Sequence, residues 1–348
     1  MKPELWEQPI FFARNRVSRV YRGGLLFSNF LGDAREDGFS PEEWIASNVR
    51  ALNPGHTDPL EGISRTEEGG IPFSKLLSEA PEKYLGNRQD IGVLVKFLDS
   101  AVRLPMQVHP TREFAQKNFH SSYGKAEAWL ILETREDACI YFGFSRSVSR
   151  QEFEAAVLQS ATDKNCMTQF VNRIPVQPGD IFFVPAGIIH AIGAGCLLLE
   201  AQEPTDFTIQ PEEWCGDYHL NTQEMYLGLS PHIALDCFDF SRYGQPVADA
   251  GKKVPVTLQE TPGTRHERLI GADDTPCFRM ERYILTGGTV PLDQPAGIYI
   301  ITHGSGTITG SNYKRPVGRG NYFFLPAHAA EHFTIQGNLE LICCVGGQ

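Results

Sequence analysis

Gly179-Asp-Ile-Phe-Phe-Val-Pro-Ala-Gly-Ile-Ile-His190 is the stretch on which the fold turns. Gly179-Asp180 opens a turn, and the four apolar residues Ile181 to Val184 predict a buried strand. Pro185-Ala-Gly187 ends that strand at a tight corner, because proline presets φ and glycine accepts φ > 0. His190 therefore stands at a fixed place just past a rigid corner, with Ala191 and Ile192 returning to apolar surroundings. A barrel wall positions a metal ligand in this way. A single buried histidine is more often a hydrogen-bonded core residue, so the reading depends on partners.

Partners lie upstream in Gln107-Val-His109-Pro and Gly124-Lys125-Ala-Glu127-Ala-Trp129. Two-residue alternation puts Gln107 and His109 on one face of a strand. Glu127 opens another apolar run, through Trp129 to Leu132. Gln107, His109, Glu127 and His190 together offer an amide oxygen, two imidazoles and a carboxylate. That set suits one zinc ion per chain with positions left for water or substrate, and a harder divalent ion also fits.

Composition narrows the function classes. A chain of 348 residues suffices for two domains or one large one. Its 33 glycines and 23 prolines, set among short apolar runs, favour a turn-rich, mainly β protein. The formal charge of −11 argues against nucleic acid as a partner, since phosphate neutralisation needs a basic face. It leaves room for a small anionic substrate held by a few local cations. The segment Met1 to Glu7 has no apolar signal core, and no run of 18 apolar residues exists, so neither secretion nor a membrane partner is expected. The cysteines follow no C-x-x-C spacing, and reduced thiols in a cytoplasmic protein are the economical reading.

Along the chain, Arg14, Arg16, Arg19 and Arg22 precede Gly23-Gly24. Ser40-Pro-Glu-Glu43 has the form of a capping box and predicts a helix through Trp44-Ile-Ala46. Pro54 to Gly70 is polar and reads as loop. Phe73 opens a short helix limited by Pro81, and Ile91 to Leu98 predicts a strand. Thr111 to Phe119 has helical spacing, strands follow at 128–133 and 138–142, and Ser149-Arg-Gln-Glu152 caps a further helix. Cys196 to Gln202 reads as a strand, and 204–235 as a long connection. The tail then repeats the theme, since Gly320-Asn-Tyr-Phe-Phe-Leu-Pro-Ala327 matches Gly179 to Ala186 in pattern. This internal duplication divides the chain into 1–235 and 236–348. In the second copy Glu331 falls at the position of His190 and Gly297 lies near that of Glu127, so this barrel is expected to bind no metal. His303, His328 and His332 complete no ligand set and are read as surface or core residues.

The motif G-x5-P-x-G-x2-H at Gly179, Pro185, Gly187 and His190 resembles the second motif of the cupin superfamily. With Glu43-Trp-Ile-Ala-Ser, Val93-Leu-Val-Lys-Phe-Leu-Asp99, Gln107-Val-His-Pro, Gly-Lys-Ala-Glu-Ala-Trp129 and Leu-Leu-Glu200-Ala-Gln, most of the chain is similar to the short bacterial type I mannose-6-phosphate isomerases. The resemblance implies a catalytic cupin (jelly-roll) barrel with helical insertions, followed by a second, metal-free barrel. It implies zinc at Gln107, His109, Glu127 and His190, Lys125 in the active site, and Glu200 as an acid/base residue. The implied reaction interconverts mannose 6-phosphate and fructose 6-phosphate through a cis-enediol. One departure stands out: Gln210 occupies the place of the family's active-site arginine, keeping hydrogen bonding but losing the charged fork that suits an anion. Lys125 or an N-terminal arginine is a candidate replacement for that charge. The alternatives are an isomerase of a different or unphosphorylated sugar, a sugar-binding cupin without turnover, and a cupin dioxygenase using iron.

Overall fold

A computed structural model of the chain describes residues 4–53, 55 and 57–347. Residues 1–3, Pro54 and His56, on which the N-terminal and loop readings partly fall, lie outside that set, as does Gln348. Ile181–Val184 is a strand buried along its whole length. It pairs antiparallel with Glu127–Thr134, which pairs with Cys196–Gln202, which in turn pairs with Leu94–Asp99. Glu42–Ile45 and Arg16–Val17 continue the sheet on one side, and Lys252–Lys253 closes it on the other.

Strand alternation explains why these runs are apolar throughout instead of every second residue. Trp129, Ile131, Phe182, Val184 and Leu198 face one core, shared with Ile140, Phe142 and Ile192 of the small sheet opposite. Ala128, Leu130, Ile181, Phe183, Leu197 and Leu199 face a second core together with Ile298, Ile300, Phe324 and Ile342. The sheet is thus covered on both faces, and a strand buried on both faces reads as a continuous hydrophobic run. Tyr299, Ile301, Phe323, Leu325 and Leu341 fill a third core inside the C-terminal sheet system. The architecture is mainly β: two barrels laid wall to wall, the first carrying the helical insertions.

The inserted helices follow their caps. Thr111 accepts a hydrogen bond from the Phe114 amide ahead of Arg112–Phe119, and Ser149 accepts one from the Glu152 amide ahead of Arg150–Gln159. Phe153, Ala156 and Val157 bury one face of the latter against Met106, Val108 and Ile209. Phe73–Glu79 is helical as expected, and Pro81 starts a second helix, Pro81–Leu85, at its first position, where its missing N–H costs nothing. The connection 204–235 holds a short hairpin at Trp214–Cys215 and Tyr218–His219 and helices Thr222–Tyr226 and Pro231–Leu235.

The helix expected from Ser40-Pro-Glu-Glu43 does not form. Glu42–Ile45 is a fully buried strand whose backbone pairs with Leu94–Asp99. Alternation sends Glu42 with Trp44 to one side and Glu43 with Ile45 to the other. Each carboxylate meets its own cation, Glu42 with Arg19 and Glu43 with Arg16. Long-range pairing overrides the local capping signal. The strand expected from Ile91 begins later, at Leu94, and ends at Asp99. Gln107 and Val108 form single bridges, to His190 and Ile209, in place of an extended ladder.

The duplication is visible in register. Glu127 lies opposite Val184 and Trp129 opposite Phe182; in the second copy Gly297 lies opposite Leu325 and Tyr299 opposite Phe323. Gly297 therefore holds the register position of Glu127 and presents no side-chain oxygen there. Tyr299 stacks on Phe323 with ring centroids 5.1 Å apart. His303, His328 and His332 are all exposed. The two barrels also trade strands: Ile10–Phe11 pairs with Tyr322–Leu325, whereas Lys252–Lys253 pairs with Ile181–Val184.

Candidate active site

The interior face of the first sheet gathers the charged residues. Glu127 shares the parity of Trp129, Glu200 that of Leu198, and Lys96 that of Leu98, so all three side chains point into the first barrel. His190 arrives from the corner built by Pro185 and Gly187, the latter at φ 85°. His109 is placed by the bridge two residues earlier, where the Gln107 and His190 backbones exchange hydrogen bonds of 2.8 and 2.9 Å.

At the centre, His109 Nε2 lies 3.0 Å from Glu127 Oε2 and His190 Nε2 lies 3.3 Å from Glu127 Oε1. The Nδ1 of His109 is 2.9 Å from the Phe207 carbonyl, and that of His190 is 2.9 Å from the Ile188 carbonyl. Each Nδ1–H donates to its carbonyl, which leaves each Nε2 lone pair facing the carboxylate, the arrangement that orients histidine metal ligands. Burial first, and the Lys125 ammonium second, depress His109 to about 3, so its ring is neutral. The potential ligand atoms of His109, Glu127 and His190 all lie within 4.8 Å of one another, and the group could hold a metal ion. Two imidazoles and an ionised carboxylate are a donor set that fits a divalent cation. Gln107 touches this group through its amide nitrogen, 3.3 Å from His190 Nε2, whereas the expected ligand atom is its amide oxygen. Lys125 Nζ stands 2.6 Å from His109 Nε2 and 2.9 Å from Glu127 Oε2.

A cavity of about 380 Å³ opens beside this group, lined at that end by Gln107 and Lys125 and elsewhere by Lys96, Glu200, Asp206 and Gln210. Glu200 is buried, and its Oε1 lies 3.2 Å from Lys96 Nζ, in ion contact but at an angle that forms no hydrogen bond. Burial, then the charge of Glu127, push its carboxyl up to about 7, against the pull of Lys96 and Lys125. A carboxyl with that value exchanges protons near neutral pH. All seven candidate residues thus come together: the three ligand-like groups meet, Gln107 and Lys125 touch them, and Glu200 and Gln210 line the shared cavity. Gln210 is turned partly to structure, its amide donating to the Glu224 carbonyl over 3.1 Å.

Sequence reasoning missed a second layer of charge. Glu42 accepts from Arg19 Nε at 2.9 Å and from the Trp44 indole at 2.7 Å, is bonded by the Tyr21 hydroxyl, and lies 3.7 Å from Lys96 Nζ. Arg19 also reaches Asp206 at 3.0 Å. Burial alone would raise Glu42, but Arg19 and Lys96 outweigh it and hold the carboxyl well below the usual range. One signal was available: Lys96 is a single charge inside an apolar strand, a placement that requires a partner.

No protein-family model matches the chain. It is 28% identical over 344 residues to a probable mannose-6-phosphate isomerase of Bacillus subtilis, covering 96% of this chain and 98% of that one. It is 24% identical to a mannose-6-phosphate isomerase of Streptococcus mutans, covering 96% and 97%. The solved mannose 6-phosphate isomerase of Bacillus subtilis superposes with a TM-score of 0.77 at 24% identity, over 97% of this chain and 99% of that one. Along nearly its whole length the chain is similar in sequence to mannose-6-phosphate isomerases, and it shares their paired-barrel fold.

Proposed function

We propose that the chain interconverts mannose 6-phosphate and fructose 6-phosphate. It is an enzyme of the sugar-phosphate isomerase type. The observation that carries the finer reading is Glu200, a buried carboxyl near 7 that shares one cavity with the group around Glu127. In this reading Glu200 moves the proton between C2 and C1 through a cis-enediol, and Lys125 balances charge or donates a proton to the developing oxyanion. His109, Glu127 and His190, with Gln107, would hold zinc, which when bound polarises the sugar oxygens at C1 and C2. Residues 1–235 would form the catalytic domain and 236–348 the second barrel. In this reading the sugar sits with C1 and C2 toward the ligand group, beside Gln107 and Lys125.

The test is a double variant, Glu127→Gln with His190→Ala. It is expected to fold, to retain no stoichiometric zinc after dialysis, and to lose activity by at least about 10²-fold. A folded, metal-free variant that isomerises at the wild-type rate overturns the reading. Because Gln210 carries no charge, turnover of unphosphorylated mannose is the second reading, and a side-by-side comparison of the two sugars separates them.

A further inference from the structure

We propose that Arg50 is the residue that reads the anionic group of the substrate, at the outer end of the cavity. The inference rests on the sugar-phosphate reading above and names the side chain that discriminates a phosphorylated sugar from a free one.

Charge bookkeeping of the cavity wall leads to it. Among the described residues, the cavity is lined by four cations: Arg19, Arg50, Lys96 and Lys125. Three are already neutralised. Arg19 is held by Glu42 and Asp206 at 2.9 and 3.0 Å, Lys96 by Glu200 at 3.2 Å, and Lys125 by Glu127 at 2.9 Å. An incoming dianion near any of these would meet a carboxylate as closely as the cation. Gln210 brings no charge, and its amide nitrogen already donates to the Glu224 carbonyl. Glu224, which also lines the cavity, accepts from the Tyr218 hydroxyl at 2.8 Å and from the Asn221 amide at 2.8 Å. Arg50 differs from all of them. It is exposed at the opening and has no carboxylate, hydrogen-bond or aromatic-ring partner among the described residues.

The segment that carries Arg50 is nevertheless fixed. The Ala51 amide donates to the Glu61 carbonyl at 3.0 Å and the Leu52 amide to Asp206 Oδ2 at 2.8 Å. Asn53 accepts from Arg19 Nη1 at 2.9 Å and donates to Glu61 at 2.7 Å. The residues that follow Arg50 are thus tied to the cavity wall, Leu52 through Asp206, while the Arg50 guanidinium stays uncommitted among the described residues. A planar fork with five N–H donors suits a phosphate bidentately. A ligand whose reacting end lies by Gln107 and Lys125 and whose anionic end lies by Arg50 spans the cavity from its deep end to its opening.

The test uses the full-length, metal-loaded enzyme and the variants Arg50→Met and Arg50→Lys, with mannose 6-phosphate and mannose as substrates. For Arg50→Met the KM for mannose 6-phosphate is expected to rise about 10- to 100-fold, the scale of a charge-assisted hydrogen bond, with kcat falling less than about threefold. Arg50→Lys recovers part of the loss. In thermal melts, mannose 6-phosphate and inorganic phosphate each raise the Tm of the wild type more than that of Arg50→Met, whereas mannose shifts both equally. An unchanged KM for mannose 6-phosphate, or equal losses for both sugars, overturns the assignment. A wild type that turns over neither sugar refutes the isomerase reading instead; the melts then decide on Arg50 alone, and equal phosphate shifts in wild type and variant reject it.

Discussion

Replacing Lys96 by methionine removes the one cation in ion contact with Glu200 among the described residues while keeping a chain of similar length. Its ammonium lies 3.2 Å from Glu200 Oε1 and 3.7 Å from Glu42 Oε2, and all three side chains are buried. At an effective dielectric of about 20, the Lys96–Glu200 contact at 3.2 Å is worth about 5 kcal/mol of gross attraction, most of it offset by burying the ammonium. A nearby opposite charge typically moves a carboxyl by about 1–3 pH units. Glu200 already sits near 7, raised by burial, so the variant should carry it higher still. A base must be ionised to act, so the acidic limb of kcat/KM should move upward by about 1–3 units relative to the wild type's own limb. At pH 7 that is a loss of about 5- to 500-fold, recovered as the pH is raised past the new limb. The assay is a pH profile of kcat/KM on both proteins, with a thermal melt to establish that the variant is folded. A limb that stays in place, or a loss that raising the pH does not restore, refutes Glu200 as the ionising base held by Lys96.

Glu200→Gln should lower kcat about 10²- to 10⁴-fold with little change in KM, since the amide keeps the shape of the side chain but moves no proton; steady-state kinetics on folded protein check this. For Glu42 the folded-state carboxyl lies below its ordinary value, so its stabilisation is fully present above the usual carboxylate range, starts to decline as the pH enters that range, and is lost as the pH falls on through the lowered folded-state value. Glu42→Gln should therefore cost about 3–5 kcal/mol at neutral pH, because it strips Arg19 and Lys96 of a shared partner, and the difference from wild type should shrink in acid. Denaturant melts at pH 7 and near pH 4 test both statements.

What could be read from the sequence was whatever a short window specifies. Ile181–Val184 and Cys196–Gln202 announced themselves by apolar runs bounded by turn residues, and Thr111 and Ser149 by their positions ahead of amphipathic turns. The ligand-like residues were legible because each sits at a strand start or corner where a polar side chain is conspicuous. Glu42 was misread because Ser40-Pro-Glu-Glu43 satisfies a local helix rule, whereas the deciding interaction is with Leu94–Asp99, about fifty residues away. Lys96 and Arg19 were missed for the same reason: their role exists only once two strands and a loop bring Glu42, Glu200 and Asp206 around them. Arg50 gives no local signal at all, since what distinguishes it is that its neighbours' charges are already matched.

The traded strands bear on how the chain can be made. A polypeptide leaves the ribosome at about 5–20 residues per second, N-terminus first. The candidate ligand set is complete once His190 has emerged, yet Ile181–Val184 keeps a bare edge until Lys252–Lys253 arrives to cover it. Ile10–Phe11 emerges more than three hundred residues ahead of its partner Tyr322–Leu325 and must wait for it. Nascent chains stalled before residue 252 should therefore be sticky and need a chaperone. A gene cut at the repeat boundary should yield two halves that are insoluble apart and soluble only when expressed together.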